Sequence, residues 1–375
     1  MRLLINTSLL RFGGAVQVAL SFIRECRSFD EHEYHVVLGS GVGAAIDQAD
    51  FPSNFHFHQQ SFGAIGLRKL LRVQREMGAI ERKVCPDCVV TTSGPSFWRS
   101  QAPHLVGFNR FLDIYPESPY VQSLRGIRRV RREAYRQIHR WFYRRDADAL
   151  IVQTDDVNCR AREWLGIEAV HTVSNTHSSF YLQHEPLPPR LAPIRDGVFR
   201  FVTVTSFYPH KNLEIIPEVL QTLHQQGTHS VEFVLTLTPD EYREKVSPCV
   251  PDGLHLIGPV PPDECPSLYE ECDGMFLPTL AECFSASYPE AMVTGKPIVT
   301  TDLGFARSIC GPAAMYFEPC NALDAARAVT ALMRDEALQE RLRGEGRRRL
   351  ALFDSPARRA AKILDICATL AAKTH

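Results

Sequence analysis

No apolar run in the 375 residues approaches the roughly 18–20 needed to cross a bilayer. The first residues, Met1-Arg2-Leu3-Leu4-Ile5-Asn6, lack the long apolar stretch and small-residue cleavage site of a secretory signal. Both absences lead us to expect a cytoplasmic protein. Neither sign of charge is in excess. Lys and Arg number 42 against 43 Asp and Glu, a formal net charge of −1, which argues against a nucleic-acid partner. No second cysteine pair accompanies Cys85-Pro86-Asp87-Cys88, so the four ligands of a zinc site are missing. The pair reads as two small apolar residues before a buried strand, and the 11 cysteines as scattered free thiols of a reducing compartment. No Gly-x-Gly-x-x-Gly follows the first strand, which excludes the usual dehydrogenase fingerprint. No Asp-x-Asp triplet stands at a strand end. What is present is ordinary for a globular chain, 45% hydrophobic and 23% charged, with length enough for two domains.

The hydrophobic pattern alternates between strand and helix, twice over. Apolar strand-like runs occur at 2–6, 35–39, 89–92, 105–108 and 149–154. Between them lie helical patterns from residue 16, at 67–83 and at 126–145, and another follows at 156–165. Leu187-Pro188-Pro189-Arg190-Leu191-Ala192-Pro193 reads as a linker, because three prolines in seven residues suit neither helix nor sheet. The pattern then restarts, with strands at 201–204, 231–237, 254–258, 274–278 and 298–301 and a helix at 213–224. A helical tail runs over 322–372 with one break near Phe353-Asp354-Ser355-Pro356, where Ser355 caps the last helix and Pro356 takes its first position. This is an α/β chain of two Rossmann-like, doubly wound parallel sheets, expected to face one another across a ligand cleft. The expected boundaries are 1–190, joined by the C-terminal helix at about 356–375, and 191–355.

Three segments carry the chemistry. In Leu280-Ala-Glu282-Cys-Phe-Ser-Ala-Ser-Tyr-Pro-Glu290, one carboxylate follows a strand and loop, and a second lies on a helix beginning near Ser287. Glu290 suits a diol such as a ribose, and the backbone before the helix suits a phosphate. In Thr205-Ser-Phe-Tyr-Pro-His210-Lys211, a lysine stands at a helix start, where the helix field disfavours it unless an anion is present. Gly13-Gly14 lies between the first strand and first helix and allows close backbone approach. Asn109, at a strand's end, and Asp113 are further polar candidates. The helix at 126–145 gathers Arg125, Arg128, Arg129, Arg131, Arg132, Arg136, Arg140, Arg144 and Arg145 around Ile127, Val130, Ala134, Ile138 and Trp141. Its apolar spacing is expected to bury that stripe in the domain. The basic face then reads either as a solvated surface or as a contact for anionic lipid headgroups or a lipid-diphosphate acceptor.

The Glu282–Glu290 segment resembles the Glu-x7-Glu motif of retaining glycosyltransferases of the two-Rossmann (GT-B) fold, particularly glycosyltransferase family 4. Leu256-Ile-Gly-Pro-Val260, Leu268-Tyr269, Gly295-Lys-Pro297 and Asp302-Leu-Gly304 are similar to that family's flanking stretches. Ser174-Asn-Thr176 with Phe180, and Asn6-Thr7 through Gly14, are similar to its N-terminal segments. The resemblance implies that Glu290 binds ribose hydroxyls of a nucleotide sugar, and that Glu282 contacts the sugar near its reacting end. It implies that Phe284, Ser285 and Ala286 offer backbone N–H groups, and that Lys211 neutralises the donor diphosphate. Ser206 stands on the donor side where the family commonly has an arginine. The implied reaction moves a hexose-type sugar to a hydroxyl acceptor on a glycan or lipid, with retention and without a metal or other cofactor, in surface polysaccharide or glycolipid synthesis. A sugar-nucleotide epimerase of the same fold, or a degenerate transferase acting as a scaffold, are the alternatives.

Overall fold

The computed structural model describes residues 1–62, 66–182, 185 and 187–373. It divides into two compact units. One comprises Met1–Ile114, Arg125–Asn175 and Asp354–His375, and the other Tyr115–Leu124 and Thr176–Phe353.

The first unit is built on seven strands: β1 (Arg2–Asn6), β2 (Glu33–Leu38), β3 (Phe55–Gln59), β4 (Cys88–Thr91), β5 (His104–Gly107), β6 (Ala149–Val152) and β7 (Val170–Thr172). They lie in the order β3-β2-β1-β4-β5-β6-β7, all parallel. The central strands are apolar on both faces, as a sheet covered by helices on both sides requires. On one face Leu3, Ile5, Val36 and Val90 pack with the helices Gly14–Glu25 and Pro356–Ala372, the latter through Ala360, Ile363, Leu364 and Cys367. On the other, Leu4, Val37 and Val89 pack with Val73 and Met77 of the helix Leu67–Val84. Ser355 caps the last helix by accepting from Arg358 N–H at 3.2 Å, with Pro356 at its first position. That helix thus completes the first sheet's core although it ends the chain.

The second unit carries β8 (Phe199–Thr203), β9 (Val231–Leu235), β10 (Leu254–Leu256), β11 (Gly274–Leu277), β12 (Ile298–Thr301) and β13 (Ala314–Phe317). Their order is β10-β9-β8-β11-β12-β13, again all parallel. Counted within the unit this is 3-2-1-4-5-6, the doubly wound arrangement whose strand order reverses between β8 and β11.

Several local expectations change. Strands β3, β7 and β13 occur where the sequence pattern assigns no strand. The tail has a second break at Asp335, whose carboxylate accepts from Leu338 N–H at 2.8 Å and starts the helix Glu336–Leu350 afresh. Cys85 is an exposed left-handed residue that ends the helix Leu67–Val84, so only Cys88 is a buried strand residue. Residues 115–124 and 176–190 go with the second unit. Ser118 Oγ donates to the Leu280 carbonyl at 2.7 Å, and Tyr181 packs edge-on to Tyr269.

The arginine-rich helix Gly126–Asp146 differs most. Its buried face is His139, Phe142, Tyr143 and Asp146. Ile127 (79% exposed), Val130 (65%), Ile138 and Trp141 (56%) face solvent, and Ala134 is exposed beside them. The stripe expected in the core is therefore on the surface. Arg132 and Arg136 instead turn inward, donating to the carbonyls of Leu112 and Asp113. They hold the helix on the domain by its basic side.

Candidate active site

In a doubly wound sheet the crevice lies beyond the carboxyl ends of the two strands where the order reverses. Here those strands are β8 and β11, and the loops leaving them carry Lys211 and Glu282. After β8 the chain passes exposed Ser206 and enters a 3₁₀ turn, Pro209–Lys211, ended by Asn212 in the left-handed region. After β11 it forms a buried loop in which Thr279, Leu280, Ala281 and Glu282 are all nearly inaccessible.

The two loops are tied backbone to backbone. Leu280 N–H donates to the His210 carbonyl at 2.7 Å, and the Thr301 hydroxyl on β12 braces the second loop by donating to the Thr279 carbonyl at 2.6 Å. Lys211 Nζ forms an ion pair with Glu282 Oε1, and Thr279 Oγ1 donates to that same oxygen at 3.1 Å. The Lys211 and Glu282 side chains are only 13% and 11% exposed. A charged pair this withdrawn from water is costly to hold unless its geometry is well satisfied. The loop ties provide that geometry.

His210 is stacked on Tyr208 and meets Tyr120 edge-on. Desolvation lowers its pKa to about 4, with the Glu282 charge pulling the other way. It is neutral at pH 7, so Lys211 is the cation of this turn.

Glu290 lies on the helix Ser287–Val293, which begins where the sequence placed it. Desolvation pushes its carboxyl up to about 7, opposed by the Tyr181 hydroxyl, the Lys211 charge and the Tyr269 hydroxyl. Both tyrosines are buried. Sequence reasoning did not single them out as neighbours of Glu290, and the Tyr269 hydroxyl donates to Met275 Sδ at 3.6 Å. Tyr181 sits 109 positions earlier and reaches the site only because the turn Ser179–Tyr181 folds onto this unit. Between the two acids, Phe284 and Ala286 are half-buried and Ser285 buried. Among the described residues, the N–H groups of Phe284, Ser285 and Ala286 donate to no backbone carbonyl.

The second unit thus brings Lys211, Glu282, Glu290 and the 284–286 backbone to one end of its sheet. The remaining candidates belong to the first unit. Gly13 and Gly14 are exposed at the start of the helix Gly14–Glu25. Gly13 has φ of 81°, which only glycine adopts without strain. A Cβ on Gly14 would meet nothing within 4 Å, so the backbone there is open to approach. Asn109 donates from Nδ2 to Ser93 Oγ at 2.7 Å. Asp113 is buried, and its carboxylate is taken by Arg110 Nε and His139 Nδ1, each at 3.1 Å. That pairing, against the cost of burial, lowers its pKa. Both contacts go to Oδ2, and the one from His139 ties Asp113 to the basic helix. His104 is fully buried with Nε2 2.7 Å from Thr91 Oγ1. It is a core histidine.

Residues 192–349 match the family described as glycosyl transferases group 1. No curated protein matches the chain. Solved structures of similar fold include a sucrose-phosphate synthase from Thermosynechococcus elongatus, 16% identical, with TM-score 0.73 over 99% of both chains. The Anabaena protein HepE, solved in complex with UDP and glucose, is 16% identical, with TM-score 0.71 over 98% of this chain and 100% of that one. WaaG, a glycosyltransferase involved in lipopolysaccharide biosynthesis, is 15% identical, with TM-score 0.69 over 98% and 99%. The two doubly wound sheets and the solved structures that share them show a chain of GT-B fold, whose residues 192–349 are similar to the glycosyl transferases group 1 family.

Proposed function

We propose that the chain transfers a sugar from a nucleotide-sugar donor to a hydroxyl acceptor, with retention at the anomeric carbon and without a metal. The observation that carries this reading is the Lys211–Glu282 pair at the β8/β11 switch point, with Glu290 eight residues on in a desolvated, tyrosine-lined position.

When the bond from sugar to phosphate breaks, negative charge builds on the leaving nucleoside diphosphate. A cation preorganised in a site poor in water stabilises that charge more than it stabilises the ground state. Lys211 fills this role. Its ammonium is held ready by Glu282, which fixes its position and leaves N–H directions open. Glu282 then also faces the sugar side of the leaving bond. The N–H groups of residues 284–286, which among the described residues donate to no backbone carbonyl, complement the phosphates or sugar. Glu290, once ionised, accepts from both ribose hydroxyls.

UDP bound to HepE supports a uridine donor as the first to try. The role of WaaG in lipopolysaccharide synthesis supports a surface glycan or lipid-linked acceptor. The solvent-facing Ile127/Val130/Ile138/Trp141 stripe, edged by Arg128, Arg129 and Arg131, supports docking on an anionic lipid surface. Apolar side chains would enter the acyl boundary while guanidinium groups meet headgroups.

The test is incubation of the purified chain with UDP-, GDP- and ADP-sugars in the absence of acceptor. Slow release of nucleoside diphosphate with a sugar that keeps the donor's anomeric configuration is expected. A free sugar with an inverted ring carbon would indicate epimerase chemistry, and no turnover of any donor, with or without glycan acceptors, would reject catalysis.

A further inference from the structure

The strand Phe55-His56-Phe57-His58-Gln59 at the edge of the first sheet alternates aromatic and imidazole side chains. Phe55 turns into the core shared with Tyr34 and Val36, so His56 and His58 point to the opposite face. The β2–β3 register sets His35 directly beside His56 and Val37 beside His58. Glu33, two residues before His35, falls on that same face. Three imidazoles and a carboxylate from two neighbouring strands therefore converge, distant in sequence from Lys211, Glu282 and Glu290.

Their geometry is close to a coordination sphere. Glu33 Oε1 lies 3.1 Å from His35 Nε2 and 3.5 Å from His56 Nε2. One donor atom from each of Glu33, His35 and His56 lies within 4.8 Å of the others. A tetrahedral ion with bonds of about 2.0–2.1 Å needs donors roughly 3.3 Å apart, which small side-chain rotations supply. The supporting contacts have the form that metal sites use. His35 Nδ1 is 3.1 Å from His58 Nε2, so a metal on Nε2 would leave Nδ1–H to donate to His58. Glu33 Oε2 accepts from Arg2 Nε at 2.9 Å, which leaves Oε1 for an ion. Such contacts fix the tautomer and orientation of the ligating groups.

We propose that Glu33, His35 and His56 bind one divalent transition-metal ion of the zinc class, with His58 and Arg2 positioning the ligands. Two nitrogens and one oxygen suit zinc, cobalt or copper better than magnesium or calcium. Glu33 and His56 are partly open to solvent, so the fourth position takes water or an exogenous ligand. The ion clips β2 to β3, a strand paired on one side only. The site is separate from the sugar-transfer reading and stands if that reading fails.

Titration of the untagged full-length chain with Co²⁺, followed by visible absorption, tests this. One equivalent should give the bands of a tetrahedral nitrogen–oxygen site, displaced by one equivalent of Zn²⁺. His35→Ala and His56→Gln should lose them while keeping the wild-type circular dichroism. His58→Ala should keep the stoichiometry with affinity about 10–100-fold weaker, as for other supporting residues. Metal should raise the melting temperature of the wild type and not of His56→Gln. Absent bands, sulfur-to-cobalt bands, or bands that persist in the two ligand variants would each overturn the proposal. The first would leave only a Glu33–His–Arg2 polar network, and the second would indicate binding by exposed cysteines.

Discussion

Glu290 is costly to ionise where it stands, and its pKa of about 7 makes that cost measurable. The ordinary value is 4.5. The stability associated with its folded, protonated form is complete below about pH 4.5. It is lost as the pH rises towards 7, because the unfolded chain releases this proton first. Glu290→Gln removes the penalty. Thermal melts should show the variant gaining on wild type more at pH 8 than at pH 4. Donor binding should show the opposite trend. Ribose hydroxyls donate to the ionised carboxylate, so nucleotide affinity should rise from pH 6 to pH 8 in wild type and stay flat in Glu290→Gln. Glu290→Ala should weaken nucleotide binding by about 1.5–3 kcal/mol, the range for a hydrogen bond to a charged group. Calorimetric titration with the free nucleoside diphosphate checks both. At Lys211 the substitution must spare Glu282, which would otherwise be left partly buried without its partner. Lys211→Gln keeps a donor and removes the charge. It should lower kcat by about 10²-fold or more, since its partner charge grows as the bond breaks. A raised KM with unchanged kcat would make Lys211 a ground-state anchor. The two acids were legible in the sequence because their spacing follows one strand, loop and helix, and Lys211 because it stands in the turn after a separate strand, β8. Tyr181 and Tyr269 were not, because a hydroxyl set beside Glu290 from another segment leaves no local signal.

Among the elements, the helix Gly126–Asp146 shows what periodicity can and cannot reveal. Apolar residues at 127, 130, 134, 138 and 141 specify one stripe. They do not specify whether protein or some other apolar medium covers it. The decision was made elsewhere, by Phe142 and Tyr143 near the C-terminal end and by Arg132 and Arg136 bonding to the carbonyls of 112 and 113. If a lipid surface covers the stripe, changing Arg128, Arg129 and Arg131 to Gln should weaken binding to anionic vesicles. At about 1 kcal/mol per residue the loss should be large and should shrink as salt is raised. Trp141→Ala should weaken it at all salt concentrations. Co-sedimentation reads both, and a wild-type chain that ignores anionic vesicles would leave the stripe without this role. The same limit explains β3. Phe-His-Phe-His-Gln has the period of a strand, but its second face is imidazole, so it lacks the apolar run that made β1, β4 and β8 readable. Asp335 was missed for the opposite reason, since a helix cap inside an uninterrupted apolar pattern costs the pattern nothing.

At the scale of the molecule, two sheets that share the order 3-2-1-4-5-6, the first with a seventh strand added, place their switch points between β1 and β4 and between β8 and β11. The alternation of strand and helix made this architecture readable, because buried parallel strands are continuous apolar runs bounded by turns. The domain limits were less so. Residues 115–124 and 176–190 carry no compositional mark of the unit they join, and their place is set by Ser118 on Leu280 and Tyr181 on Tyr269. If protein groups alone hold the diphosphate, turnover should survive excess EDTA, whatever becomes of an ion at Glu33, His35 and His56. Activity abolished by EDTA and restored by magnesium or manganese would contradict the metal-free mechanism.

The central claim is that the second unit binds a nucleotide sugar through Lys211, Glu282 and Glu290. Melting the wild type, Lys211→Gln and Glu290→Ala with UDP-, GDP- and ADP-sugars tests it most directly. A ligand at 100 times its Kd stabilises the folded state by about 2.7 kcal/mol. The account predicts that donors of one base raise the wild-type Tm by several degrees and that both variants lose most of the shift. No shift with any donor, or shifts that both variants retain in full, would contradict it.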